Sequence, residues 1–271
     1  MTKINKARVR SIPKEGDDDT RPIKGYEICP HLYANIYLVA KKESGKTTLI
    51  WNFIDRCAGR DTKIVAFVST LNNDANWRMI QQKCEEKGIV FIGSTSIMDD
   101  EKVDHLQALT HHLQEIAADS DEEKPSVPVP AIPHVSLKEP PPESKKPTKL
   151  KYRAPEYIII LDDLSDELKK KSVETLLKKN RHFKCKVIIS SQWLNDITPA
   201  ALVQMSIMCL LRGFSVDKLL EFHSKARLSV STERFVEMYK DATSEPFGFL
   251  YIDMDKGKYR NRFDREYSIL E

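Results

Sequence analysis

A single α/β domain on a predominantly parallel central sheet, with helices on both faces, is the fold class the sequence predicts. Three observations predict it. Short apolar runs that do not alternate with polar residues are separated by helical patterns, as expected of strands buried on both sides. The first of these runs leads straight into a Gly-Lys-Thr turn and a helix, and a later one, YIIIL, leads straight into two aspartates. The chain of 271 residues is long enough to bury one large core of this kind.

The elements follow in chain order. Residues 1–30 are polar, basic and unperiodic, with three aspartates at 17–19, and read as a flexible basic arm before a domain spanning 31–271. Residues 35–40 (NIYLVA) form a strand, and 45–57 a helix with Leu49, Ile50, Phe53, Ile54 and Cys57 on one side. A strand at 63–69 and a helix at 74–86 follow, the helix carrying Trp77, Ile80 and Cys84 in register. A short strand at 90–92 precedes a helix at 101–118. Residues 119–152 break the pattern, because 8 of the chain's 14 prolines fall there among Asp, Glu, Lys and Ser. That composition is too poor in apolar residues to fold alone and reads as a flexible insertion on the rim of the sheet. Beyond it come a strand at 157–161, a helix at 166–179, a strand at 185–191, a short helix at 199–205 and a strand at 207–212. Helices at 216–225 and 233–241 and a strand at 247–253 complete the order, the last strand in a hairpin with 258–263.

Composition excludes several classes. No apolar run exceeds five residues, so no membrane-spanning helix is expected. The opening MTKINKARVR has no apolar stretch behind it and does not read as a secretory signal. Five scattered cysteines without a C-x-x-C pair read as reduced, mostly buried thiols rather than a disulfide frame or zinc site. The net charge of +3 neither demands nor excludes nucleic acid.

Residues 40–48, AKKESGKTT, sit between a strand and a helix and match the phosphate-loop pattern G-x-x-x-x-G-K-[ST], except that Ala40 replaces the first glycine. The chemistry needs few parts. Backbone N–H groups of the turn and the helix N-terminus bind phosphate oxygens. Gly45 lets the backbone close around them, Lys46 brings a point charge to the β- and γ-phosphates of ATP, and the Thr47 hydroxyl ligates Mg2+. Ala40 can serve at a strand end if its φ is negative. Lys41, Lys42, Glu43, Ser44 and Thr48 complete the loop, and Glu43 must point outward to avoid repelling the triphosphate.

The second signal is the apolar strand ending in Asp162 and Asp163. Buried strands do not end in paired acids without a use for them, and the pattern is a Walker B arrangement. Asp162 would hold Mg2+, and Asp163 would orient or deprotonate the attacking water. A helix start capped by Asp163 or Ser165 would look the same locally. The strand at 185–191 ends in Ser190, Ser191 and Gln192. Inserted between the other two strands, it would make Gln192 the γ-phosphate sensor, which defines an additional-strand (RecA-like) P-loop NTPase. Arg181, just before that strand, is the first candidate for an arginine finger acting on a neighbouring subunit, and Arg212 the second. A plain solvated arginine fits either position.

The SGKTT turn, IIILDD, the NRH segment followed by VIISSQ, and the closing KYRNRFD together resemble the FtsK–HerA class of pumping ATPases. Within it they resemble the genome-packaging ATPases of large DNA viruses, virophages and Polinton-type elements. FVSTLNNDANWRMI (67–80) is similar to that group's segment after the second strand, with Asn73, Asp74 and Trp77 in matching places. The likeness covers roughly 31–118 and 153–265. It implies a homo-oligomeric ring that hydrolyses Mg-ATP to translocate double-stranded DNA into a capsid, docked on a capsid or portal-vertex protein. It also implies a location in the virion or at an intracellular assembly site of the host. The departures are Ala40, the charged loop interior, Asp163 where glutamate is commoner, and Asn180 where glycine is often found. They keep open a nucleotide-binding vertex or scaffold component with little turnover, and a helicase-type ATPase is the third reading.

His105, His111 and His112 share one helix but lack completing acids or thiols, and read as surface residues. Lys169–Lys171 and 178–184 (KKNRHFK) supply local positive charge that suits either a solvated face or a DNA-facing channel. The tail KGKYRNRFDR interleaves aromatics with bases and could touch phosphates or protect a sheet edge.

Overall fold

The structure is a computed structural model and describes residues 19–119 and 151–268. Nine strands form one sheet: β1 (Asn35–Val39), β2 (Lys63–Val68), β3 (Phe91–Ser94), β4 (Tyr157–Asp162), β5 (Cys185–Ser191), β6 (Ile207–Leu211), β7 (Phe249–Asp253), β8 (Lys258–Asn261) and β9 (Arg265–Glu266). Their spatial order is β3-β2-β4-β5-β1-β6-β7-β8-β9. The first six are mutually parallel, and β7 to β9 continue the sheet antiparallel. Among the described residues the α-helices are α1 (Lys46–Cys57), α2 (Ala75–Glu86), α3 (His105–Asp119), α4 (Lys171–Lys179), α5 (Pro199–Leu202), α6 (Val216–Ala226) and α7 (Thr232–Ala242).

Why the middles of the central strands are apolar on both faces is clear from the two cores. Alternate residues of β1, β2, β4 and β5 (Tyr37, Phe67, Ile159, Val187) pack under α3 to α7, whose contributions include Leu109, Leu176, Phe222 and Phe235. Their neighbours (Ile36, Ala66, Ile158, Ile188) face the other way, under α1 and α2, against Ile50, Phe53, Trp77 and Ile80. Both faces are covered, so both sets of side chains must be apolar. All five cysteines are buried and unbridged in these layers.

The expected fold class is the one observed, and the element order agrees with it. Boundaries differ where capping chemistry decides. The helix expected from 101 begins at His105, because the Asp104 carboxylate accepts from the Gln107 N–H at 2.8 Å and caps it. The helix expected over 166–179 is split: a 3-10 turn (Ser165–Lys169) drives Leu168 into the core, and extended Lys170 separates it from α4. The last long strand starts at Phe249 rather than 247, since Phe247 has a positive φ of 59°. The hairpin of β7 and β8 forms, and the short β9 was not expected.

The boundary placed at residue 30 shifts. Ile23 bridges Arg153, and Ile28 and Cys29 are fully buried. Lys186, itself 1% exposed, donates to the His31 carbonyl and approaches Cys29 Sγ at 3.2 Å. Residues 23–29 therefore belong to the packed body; residues 1–18 of the expected arm and 120–150 of the expected insertion lie outside the described residues. His105 is not a surface residue either, since its ring is 10% exposed and lies 3.3 Å from the Asp99 carboxylate.

Candidate nucleotide site

Parallel strands bring their C-terminal ends to one edge, and loops leaving that edge are where side chains from distant segments can meet. Strand β5 lies between β1 and β4, with Val39 opposite Ser191 and Asp162 opposite Ser190. The phosphate loop, the acidic doublet and Gln192 therefore leave the sheet side by side. This insertion of β5 is the additional strand expected from the sequence.

Ala40 is fully buried, takes no positive φ, and donates its N–H to the Ser191 carbonyl at 3.0 Å. Glycine's freedom is not needed there. Lys41, Lys42 and Glu43 are all exposed, so the crowded loop interior turns to solvent and Glu43 faces outward. Ser44 is half-buried and its hydroxyl donates to the Lys41 carbonyl. At Gly45 the chain adopts a φ of 95°, a left-handed turn that suits glycine and starts α1 at Lys46. No side chain caps this helix and no acid sits in its first turn. Its leading N–H groups, with half-buried Thr47 and exposed Thr48 among the first residues, make an anion-binding end.

Lys46 Nζ reaches Asp163 Oδ1 at 3.3 Å, across 117 positions of sequence. Gln192 Nε2 donates to both oxygens of the same carboxylate, at 3.1 and 3.0 Å. Asp163 takes a φ of 57° and donates its N–H to the Ser190 carbonyl, which aims its side chain off the strand end toward Lys46. Below it, Asp162 is 5% exposed. Its Oδ2 accepts from Trp77 Nε1 at 3.1 Å, while its buried Oδ1 has no partner among the described residues. Burial pushes the Asp162 carboxyl above its ordinary range, and the nearby Lys46 charge opposes that rise. An orphaned buried carboxylate oxygen is the donor a hard divalent cation takes, so Asp162, with Thr47 one residue after Lys46, fits Mg2+.

Two supporting residues were not expected from the sequence. Tyr37 of β1 sends its hydroxyl to the Trp193 carbonyl at 2.8 Å and lies 2.7 Å from Ser191 Oγ, fastening the turn that carries Gln192. In the sequence Trp77 reads as a core position of its helix and as part of the family-like segment 67–80, with no partner assigned to its indole. It is core, fully buried, but a buried indole N–H requires an acceptor, and that requirement was the available signal.

The two arginines separate. Arg181 is exposed and precedes β5, at the opposite edge of the sheet, and a seven-residue strand places it on the order of 20 Å from Gln192. Arg212 is exposed at the end of β6, on the same edge as the phosphate loop. The Lys41 stem crosses beside it, with Cδ 3.1 Å from where a methyl on Gly213 would sit. A cleft of about 450 Å³, lined by Leu71, Ser94, Ser96 and Asp99, lies over the ends of β2 and β3 instead. The phosphate loop is an open rim, and its convergent side chains rather than that cleft define the site.

Order of strands, phosphate loop and acidic doublet define an additional-strand P-loop NTPase fold. No family model matches the sequence, and no curated protein matches it. Among solved structures the chain is similar to the genome-packaging NTPase B204 from Sulfolobus turreted icosahedral virus 2 with AMPPCP, at 15% identity and a TM-score of 0.51, covering 89% of this chain and 100% of that one. The DNA-packaging ATPase B204 from Sulfolobus turreted icosahedral virus aligns at 15% identity and a TM-score of 0.51, over 88% of this chain and 98% of its own. The AMP complex of the first aligns at 14% and 0.50, over 85% and 97%. At these identities what is shared is the fold, and it is the fold that the FtsK–HerA resemblance implied.

Proposed function

We propose that this protein binds and hydrolyses Mg-ATP at the α1 N-terminus and couples hydrolysis to translocation of double-stranded DNA, as a viral genome-packaging motor. One observation carries the reading: the convergence of Lys46, Asp163 and Gln192 from three separate segments onto one strand edge. Lys46 is shared property there. A γ-phosphate competes with Asp163 for the same ammonium, and when Lys46 turns to the phosphate the carboxylate is released. Gln192 keeps it oriented, and Asp163 then accepts the proton of the attacking water. Asp162 and Thr47 would hold Mg2+, which would supply charge neutralisation to the phosphates. Trp77 holds Asp162 in the rotamer that presents Oδ1.

Support for DNA as partner is the fold shared with a protein described as a DNA-packaging ATPase. The basic stretches are partly ion-paired, with Lys178 to Glu174, Lys184 to Glu156 and Arg262 to Glu245 at 3.5, 3.0 and 3.0 Å. Such exposed pairs hold by only about 0–1 kcal/mol, so phosphates can recruit the bases from them. A homo-oligomeric ring on a capsid or portal-vertex protein, in the virion or at a host assembly site, completes the proposal. Arg181 or Arg212 of a neighbour would then stabilise the transferred charge. The scaffold reading rested on a crowded loop and on Asp163; the loop's charged residues face solvent and Asp163 is held in place, so no observation favours it. The test is ATP turnover with and without duplex DNA. DNA-stimulated turnover supports the motor; nucleotide binding with no turnover in either condition refutes it.

A further inference from the structure

We propose that Phe247 is the base-binding platform of this site, an aromatic ring that stacks on the nucleobase of a nucleoside triphosphate held by the phosphate loop. The inference rests on the reading of residues 40–48 as a nucleotide site and adds where the nucleoside end lies.

Direction comes from the sheet. Asp162, Asp163 and Gln192 stand on β4 and β5, to one side of β1. A triphosphate with its γ end among them must run its α end, sugar and base to the other side, over β6 and β7. Phe247 is there, two positions before β7, and its ring covers the glycine of the loop. A methyl added to Gly45 would lie 3.1 Å from Phe247 Cδ1 and 3.8 Å from its Cβ and Cγ.

The ring is presented rather than packed. At 68% exposure it is the most exposed large apolar side chain among the described residues. Phe249 and Phe263, nearby in the same hairpin region, form an edge-on pair at 5.1 Å between centroids, whereas Phe247 enters no ring contact among the described residues. Its backbone φ of 59° is one that bulky residues avoid. The turn imposes it. The Gly248 N–H bonds the Glu245 carbonyl at 3.1 Å, and a side chain at Gly248 would come within 2.3 Å of the Ala242 carbonyl. An unfavourable backbone and a solvated ring are thus both held in place beside the phosphate loop, as a stacking surface requires. Stacking uses the π-face every base has, so this platform accepts adenine and guanine nucleotides alike.

Base stacking of this kind changes affinity by about 5- to 150-fold on truncation to alanine. The experiment measures binding of ATP, GTP and inorganic tripolyphosphate to the wild-type chain, Phe247→Ala, Phe247→Trp and Lys46→Ala. Expected are ATP and GTP affinities at least about fivefold weaker in Phe247→Ala, with tripolyphosphate unchanged, and recovery in Phe247→Trp. The new indole should also be quenched by ATP and not by tripolyphosphate. Equal ATP affinity in Phe247→Ala and wild type would overturn the proposal. So would a loss of assembled mass on Phe247→Ala without a loss of nucleotide affinity, which would make the ring a subunit contact. Lys46→Ala separates the two levels: if it leaves tripolyphosphate binding intact, the phosphate site itself is wrong, whatever Phe247 does.

Discussion

Replacing Trp77 by phenylalanine isolates one hydrogen bond at the metal end of the site. Phe keeps an aromatic ring in the core but removes the Nε1–H that Asp162 Oδ2 accepts at 3.1 Å. Asp162 is 5% exposed, so water cannot substitute freely. A hydrogen bond to a charged group contributes about 1.5–3 kcal/mol, or about 10- to 150-fold in an equilibrium constant. The bond favours the ionised carboxylate, which is also the form that takes Mg2+. Without it, a carboxyl raised by burial rises further, and Mg2+ must displace a proton to bind. The assay is a Mg2+ titration of nucleotide binding, set against nucleotide binding in chelator. In Trp77→Phe the Mg2+ midpoint should rise at least about tenfold, more at low pH than at high, while affinity in chelator holds. A folded variant with an unshifted Mg2+ midpoint at every pH would refute the positioning role and the assignment of Asp162 with it.

Four other outcomes are expected. Lys46→Ala should abolish turnover and tripolyphosphate binding in a chain that still folds; undiminished turnover would refute the site. Asp163→Asn should bind Mg-ATP and stall in single-turnover assays, whereas loss of affinity would mean the two acids are misassigned. Asp162→Asn should melt higher than wild type near neutral pH in chelator: a folded-state carboxyl raised above 3.8 costs stability as pH climbs through its elevated value, so the gap between variant and wild type should close as pH falls toward 4. Mixing Lys46→Ala subunits with Arg181→Ala or Arg212→Ala subunits tests action in trans. Recovery of activity should occur with whichever arginine serves a neighbour, and recovery with neither would remove the finger from the mechanism.

How legible the protein was in its sequence depends on distance along the chain. The strand–turn–helix of residues 35–57 and the IIILDD end of β4 could be read directly, because each is a contiguous stretch whose hydrophobic pattern and turn chemistry are local. Helix starts were legible in principle and missed in practice: Asp104 is an ordinary capping residue three positions before Gln107. The docked segment at 23–29 was hidden by its polar composition, because what anchors it is a lysine buried on β5, Lys186, 157 positions from Cys29. The sequence ranks Arg181 ahead of Arg212, both as arginines next to strands. Only strand direction puts one at each edge.

From its sequence alone this chain declared a phosphate loop, an acidic doublet and a sheet buried on both faces, since periodicity and spacing within some fifteen residues are enough to specify each. What tertiary structure decided is which of these groups touch. Strand β5 had to fall between β1 and β4 for Gln192 to meet Asp163, α2 had to lie over β4 for Trp77 to reach Asp162, and the turn before β7 had to close for Phe247 to cover Gly45. Those are contacts between segments up to two hundred residues apart, set by packing and register, and no local pattern encodes them.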